Sequence, residues 1–150
     1  MAINLATTDV LHLGSLSGTG SIRGSGILSV GAKNTSTTWG GTLASNTGTV
    51  TLGLTKVGTG TLTMSNTNRH TLATTVNAGV LNITGAMENS PVTVNNGATF
   101  QVGGSGKKLQ SLAINAGGTA KVGSVTSVTG AVAATGQGSV LDLVNGTTGS

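Results

Sequence analysis

Three acids, two histidines and one tryptophan are the side chains on which chemistry would have to rest in this chain of 150 residues. Paired carboxylates that cleave a glycosidic bond stand about 5 to 9.5 Å apart, and a calcium site gathers several oxygen ligands around one ion. Asp9, Glu88 and Asp142 are scattered over almost the whole sequence, so only a fold that returned all three to one place would make them useful. His12 and His70 are also far apart, in a chain without cysteine. Apart from Asp9 beside His12, no acid is near either one. Neither a zinc site nor a nucleophile, base and acid triad assembles from that set. Both histidines are expected at the surface, and no catalytic, metal or cofactor site is expected.

Two further features have a chemical and a plain reading. Gly-Thr-Gly at 18–20 and 58–60 and Gly-Ser-Gly at 24–26 and 104–106 look like phosphate-loop fragments, but no helix follows to offer its N-terminal dipole. Tight corners explain them better. Trp39 lies in a Thr- and Gly-rich stretch, where an exposed indole would stack on a sugar or a partner; burial against the fold is the expected role. The Lys107-Lys108 pair, on an expected turn, would touch an anionic surface such as lipopolysaccharide or DNA; a solvated loop is the plainer expectation.

The background composition decides much of the rest. Gly (26), Thr (27), Ser (15) and Asn (12) fill 80 of the 150 positions, which leaves little for helices. Leu, Ile, Val and Phe number 36, or 24%, above the roughly 20% below which chains stay disordered, so the chain is expected to fold as one domain. The isoelectric point near 10.2 rests on seven basic against three acidic residues, scattered rather than clustered. With Trp39 and Phe100 as the only aromatics, no nucleic-acid surface is expected. No apolar run reaches the roughly 18 residues of a membrane helix, and two aromatics cannot build the girdles of an outer-membrane barrel. Met1-Ala-Ile-Asn-Leu-Ala-Thr-Thr-Asp9 has neither the basic nor the apolar part of an export signal, so any such signal is expected elsewhere or already removed.

The elements that would position these residues appear as a repeat. Val76-Asn-Ala-Gly-Val-Leu-Asn-Ile83, Val94-Asn-Asn-Gly-Ala-Thr-Phe-Gln-Val102 and Ile114-Asn-Ala-Gly-Gly-Thr-Ala-Lys-Val122 share an apolar residue, Asn, a small residue, Gly and an alternating apolar pair. The pairs Leu62/Met64, Leu81/Ile83, Phe100/Val102, Ala120/Val122 and Leu141/Leu143 recur at a nearly constant step. Each reads as a short strand with one face inward. Val92/Val94, Leu112/Ile114 and, more weakly, Thr74/Val76 form a second strand before the Asn-x-Gly turn, whose residues tolerate positive φ. Pro91 opens such a strand, where no ladder donor is lost.

A hairpin meander has no reason to keep a constant period, whereas stacked coils do. The expectation is therefore an all-β fold, a parallel β-helix or β-solenoid, with residues 1–150 as one domain or segment. At about 20 residues per coil and about 4.8 Å per stacked strand, it would have about seven coils and be roughly 35 Å long. On that rod the three acids lie roughly 13 to 19 Å apart along the axis, which argues against an enzyme acting on polysaccharides. The N-terminal third is less regular. The step from Leu28/Val30 to Val50/Leu52 is longer than the period and that from Val50 to Leu62 much shorter, and 31–46 is expected to be an irregular excursion.

Leu54-Thr-Lys-Val-Gly-Thr-Gly-Thr-Leu-Thr-Met-Ser-Asn-Thr-Asn68, followed by Thr74-Thr-Val-Asn-Ala-Gly-Val-Leu81, resembles the autotransporter passenger-associated β-strand repeat of large secreted bacterial proteins. Leu13-Gly-Ser-Leu-Ser-Gly-Thr-Gly-Ser-Ile22 and Val92-Thr-Val-Asn-Asn-Gly-Ala-Thr-Phe100 are similar to the coils that flank it, so the resemblance spans 11–123. The sequence departs where the family has an aromatic, Thr and a Gly pair: His70, Thr71, Leu72 and Ala73 stand there. The resemblance implies a right-handed parallel β-helix displayed on or released from a Gram-negative cell surface, with adhesive or aggregative roles and no catalytic residues.

These readings converge on a non-catalytic structural module: adhesin stalk, self-association element or fibre subunit. Its expected partners are itself, end to end or side by side, or other surface proteins or glycans. The alternative is a ligand-binding solenoid that uses Trp39 or a lateral Thr-rich face for glycan or ice. Thr49/Thr51, Thr59/Thr61/Thr63 and Thr74 do not recur at one coil position, which disfavours an ice-binding array. Neither Met1 nor Asn145-Gly-Thr-Thr-Gly-Ser150 resembles a polar cap, so the chain is expected either to be a piece of a longer passenger or to stack on copies of itself.

Overall fold

Short runs of alternating apolar and polar residues, punctuated by glycine, can bury one side of each strand only if successive runs stack. In the computed structural model, which describes residues 2–5, 9–43, 51–103, 107–123 and 127–144, they stack on three faces. The first face carries Val10–Leu13, Gly26–Val30, Leu52–Lys56, Thr74–Val76, Pro91–Val94, Ser111–Ile114 and Val132–Ala134. The second carries Thr37–Trp39, Thr61–Met64, Val80–Ile83, Thr99–Val102, Thr119–Gly123 and Val140–Val144. The third is made of shorter pieces: Ala2–Leu5, Ser21–Gly24, Thr42–Leu43, Thr67–Asn68, Ala86–Met87, Lys108–Leu109 and Ser127–Val128. Neighbouring strands run parallel on every face. The chain is an all-β parallel solenoid of about six turns, roughly 20 residues per coil, against the seven expected.

Register confirms the period. On the second face Leu62, Leu81, Phe100, Ala120 and Leu141 are successive Cα partners. On the first face, Leu11, Leu28, Leu54, Thr74, Val92, Leu112 and Val132 form one inward column and Leu13, Val30, Lys56, Val76, Val94, Ile114 and Ala134 a second. Their buried apolar members, from Leu28 to Ile114 on the first face and from Leu62 to Ala120 on the second, make a single core with Ile22, Leu43, Met87 and Leu109 on the third face. The N-terminal pairing differs from the one expected: Leu28 lies against Leu54, a longer step than that to Val50, which is outside the described residues. Of the segment 31–46, Thr37–Trp39 and Thr42–Leu43 are strands in the stack, and 44–46 are outside the described residues.

The Asn-x-Gly corners explain why this sequence turns where it does. Gly79, Gly97 and Gly117 have φ of 63°, 72° and 71°, a region that side chains with a Cβ rarely occupy. Just before each glycine, across one small residue, an asparagine stacks on its equivalent: Asn95 Nδ2 donates to Asn77 Oδ1 at 2.7 Å and Asn115 Nδ2 to Asn95 Oδ1 at 2.6 Å. The glycine triplets turn corners too, with positive φ at Gly18, Gly20, Gly24, Gly26 and Gly58; the one at 104–106 lies outside the described residues. Asn95→Ala breaks both rungs of the asparagine ladder. At about 0.5 to 1.5 kcal/mol per hydrogen bond, it is expected to lower stability by about 1 to 3 kcal/mol. A urea titration checks this, with the midpoint falling and the slope unchanged.

Candidate functional site

The solenoid keeps the three acids apart. Asp9 precedes the first first-face strand, Glu88 follows the third-face strand Ala86–Met87, and Asp142 is on the last second-face strand. All three are exposed. Among the described residues no three His, Asp or Glu groups come together around a possible metal ion, and no helix is long and apolar enough to cross a membrane. His12 is exposed, as expected. Trp39 is only 5% exposed and pairs with Met64 on the second face, so its indole is core rather than a stacking platform. Lys107 and Lys108 are not both on a turn: Lys108 begins a third-face strand paired with Ser127, and Lys107 Nζ donates to Thr84 O at 2.9 Å. The outward Thr55, Thr75 and Thr93 do stack, but Ser29 and Ala113 end that column. On the second face Val80 interrupts Thr61 and Thr99. Thr74 faces inward and Thr49 lies outside the described residues. No broad threonine array results among the described residues.

His70 overturns the surface expectation, being fully buried. It sits at the corner between the third-face strand Thr67–Asn68 and the first-face strand Thr74–Val76, at the point where the sequence leaves the repeat pattern. Thr74 replaces an apolar residue in its inward column, and its hydroxyl lies 2.7 Å from His70 Nε2 and 2.8 Å from Ser90 Oγ. Ser90 Oγ donates to Leu72 O at 2.7 Å. Each hydroxyl has one proton, so that last bond fixes the rest: Thr74 donates to Ser90, and His70 donates to Thr74 from a protonated Nε2. Nδ1 is then a bare lone pair, and it is buried without a partner. Burial pushes the imidazole pKa down to about 4. A second proton on Nδ1 would meet no acceptor, which works in the same direction.

Two other polar groups enter the core. Lys56 is 1% exposed and stands in a column otherwise made of Leu, Val, Ile and Ala. Its stem packs like a hydrophobic side chain, while Nζ donates to Val57 O, Gly58 O and Ala78 O at 2.7, 2.8 and 3.2 Å. The ammonium therefore links two successive corners, and desolvation lowers its pKa from the ordinary lysine value. Asn68, also buried, accepts from Leu43 N at 2.9 Å and donates to Asn66 O at 2.8 Å. None of Lys56, Asn68, Thr74 and Ser90 stands out in the sequence by residue type. For Lys56 and Thr74 a positional signal exists, since they lie one coil before Val76 and Val92, residues of the two inward columns.

On the solvent side of the His70 corner a cavity of about 270 Å³ opens between two third-face rungs. Thr67, Asn68, Arg69, Ala86, Glu88 and Asn89 line it. Asn68 and Met87 sit on adjacent strands, which sets Arg69 and Glu88 one rung apart. Both are exposed, as is Asn89. The floor is fixed, because both ends of the Asn68 amide are engaged with backbone and Arg69 N donates to Leu43 O at 2.8 Å.

The fold is thus that of a repeat solenoid with a polar seam through its middle coils. Residues 54–83, which hold Lys56, Asn68, His70 and Thr74, match the passenger-associated-transport-repeat family. No curated protein and no solved structure matches the chain.

Proposed function

We propose that this chain is a non-catalytic structural segment of a bacterial extracellular or cell-surface protein, a rod of the autotransporter passenger type. The observation that carries the reading is the passenger-associated-transport-repeat at 54–83 set within parallel strands whose register continues from coil to coil on either side of it. The separation of Asp9, Glu88 and Asp142 gives no pair suited to acid–base work. As adhesin stalk, self-association element or fibre subunit, the rod would engage copies of itself, other surface proteins or glycans.

The test is to place the chain between a cleavable export signal and an outer-membrane translocator barrel in a Gram-negative host. Surface display, seen as protease access on intact cells, is the expected result. Retention in the periplasm, with the barrel competent to display a control passenger, would overturn it. Electron microscopy of the purified chain then separates single rods from fibres.

A further inference from the structure

We propose that the cavity between Thr67–Arg69 and Ala86–Asn89 is a binding site for one sugar ring, taken as the terminal unit of a glycan. The inference rests on the rod reading only in naming glycans as partners; surface display tests the rod and the titration below tests the site, so either can fail without the other.

The argument is one of elimination and complementarity. Apart from Ala86 the lining is polar, which leaves nothing for an apolar ligand to bury. A metal ion is opposed by the cationic Arg69, which lines the same cavity as the one carboxylate residue, and hard cations gather more oxygen ligands than this. An inorganic anion is opposed by Glu88. A neutral polyhydroxyl ring uses all of them at once. Carboxylate oxygens accept from its hydroxyls, the guanidinium donates to hydroxyl or ring oxygens, and the Asn89 amide does both. Such bonds to charged groups are the stronger kind. About 270 Å³ is just below the usual range for drug-sized ligands, roughly 300 to 1,000 Å³, which suits one ring with the remaining chain in solvent. The walls belong to two consecutive rungs held by the backbone ladder and the Asn68 amide, so little order has to be created on binding.

The experiment is a nuclear magnetic resonance titration of the isotope-labelled chain. The probes are the methyl glycosides of glucose, galactose, mannose and N-acetylglucosamine, each to about 50 mM, where a millimolar site is nearly filled. Glycine and inorganic phosphate are run in parallel. The expected result is that at least one glycoside produces saturating shifts in the amides of 67–69 and 86–89 while those of Leu81 and Phe100 stay still. Arg69→Gln and Glu88→Gln should each weaken half-saturation about tenfold, the loss of roughly one good polar contact, with thermal unfolding unchanged because both side chains are exposed. Asn89→Ala serves as a third variant should either fail to fold. The proposal is overturned if no glycoside saturates, or if saturation survives all three substitutions. It is equally overturned if glycine alone saturates, which would make the pair of opposite charges a zwitterion site, or if phosphate alone does.

Discussion

Leu81→Asp is expected to leave the chain largely unfolded at room temperature. Leu81 is completely buried, with Leu62 and Phe100 as its partners on the rungs before and after. Removing a buried leucine side chain costs about 2 to 5 kcal/mol in lost burial and cavity. The carboxylate must then be desolvated without a counter-ion: the buried cation in the core, Lys56, already has its ammonium on three carbonyls. An unpaired buried carboxyl shifts its pKa and stays neutral, still lacking partners, and adds several kcal/mol more. The sum is comparable with the roughly 5 to 15 kcal/mol that holds a typical domain together. Asn82→Asp on the same strand is the matched control, since Asn82 points outward between Thr63 and Gln101 and a surface change of this kind stays within about 0.5 kcal/mol. Circular dichroism melts of the two variants decide the matter. A Leu81→Asp protein that unfolds at the parent temperature would place that side chain in solvent and dismantle the second-face column.

That column is also the part of the fold most legible in the sequence. Leu62, Leu81, Phe100, Ala120 and Leu141 are recognisable because their alternation is clean and their period nearly constant, and the Asn-x-Gly corners announce themselves by residue type. The third face is not legible. Its strands Thr67–Asn68, Ala86–Met87, Lys108–Leu109 and Ser127–Val128 are too short for an alternation to show. Spacing alone sets Leu28 against the wrong partner, because the coil between Gly26 and Leu52 is longer than the others. The cavity at Arg69 and Glu88 depends on that hidden face, so nothing in the sequence marks these two residues as sharing a wall. Residue type alone puts His70 at the surface. Its burial follows from the corner, which buries His70 alone among 69–73, and from Thr74 and Ser90 standing where they can pair with it. Polar residues in a core defeat pattern reading, because the pattern is defined by apolar ones.

The same corner makes stability depend on pH. In the unfolded chain His70 takes up its proton near the ordinary value of about 6.5; in the fold it resists until about pH 4. Between those values the unfolded state binds more protons than the folded one, so stability falls as pH falls through that window, and the loss is complete once both states are protonated below about 4. A difference of about 2.5 pH units at about 1.36 kcal/mol each gives a loss of roughly 3 kcal/mol from this residue. Arg69 and Glu88 flank the corner on its exposed side, and neither reaches the buried Nδ1, which has no partner. Urea unfolding of the parent and of His70→Gln at a series of pH values from 7 down to about 4 isolates the effect, since every other titrating group is common to both proteins. The parent curve should fall more steeply, converging on or crossing that of His70→Gln by about 3 kcal/mol of relative change. Should the two curves run parallel, His70 would have to be solvated in the fold, and the donor chain through Thr74 and Ser90 to Leu72 O would not exist as drawn.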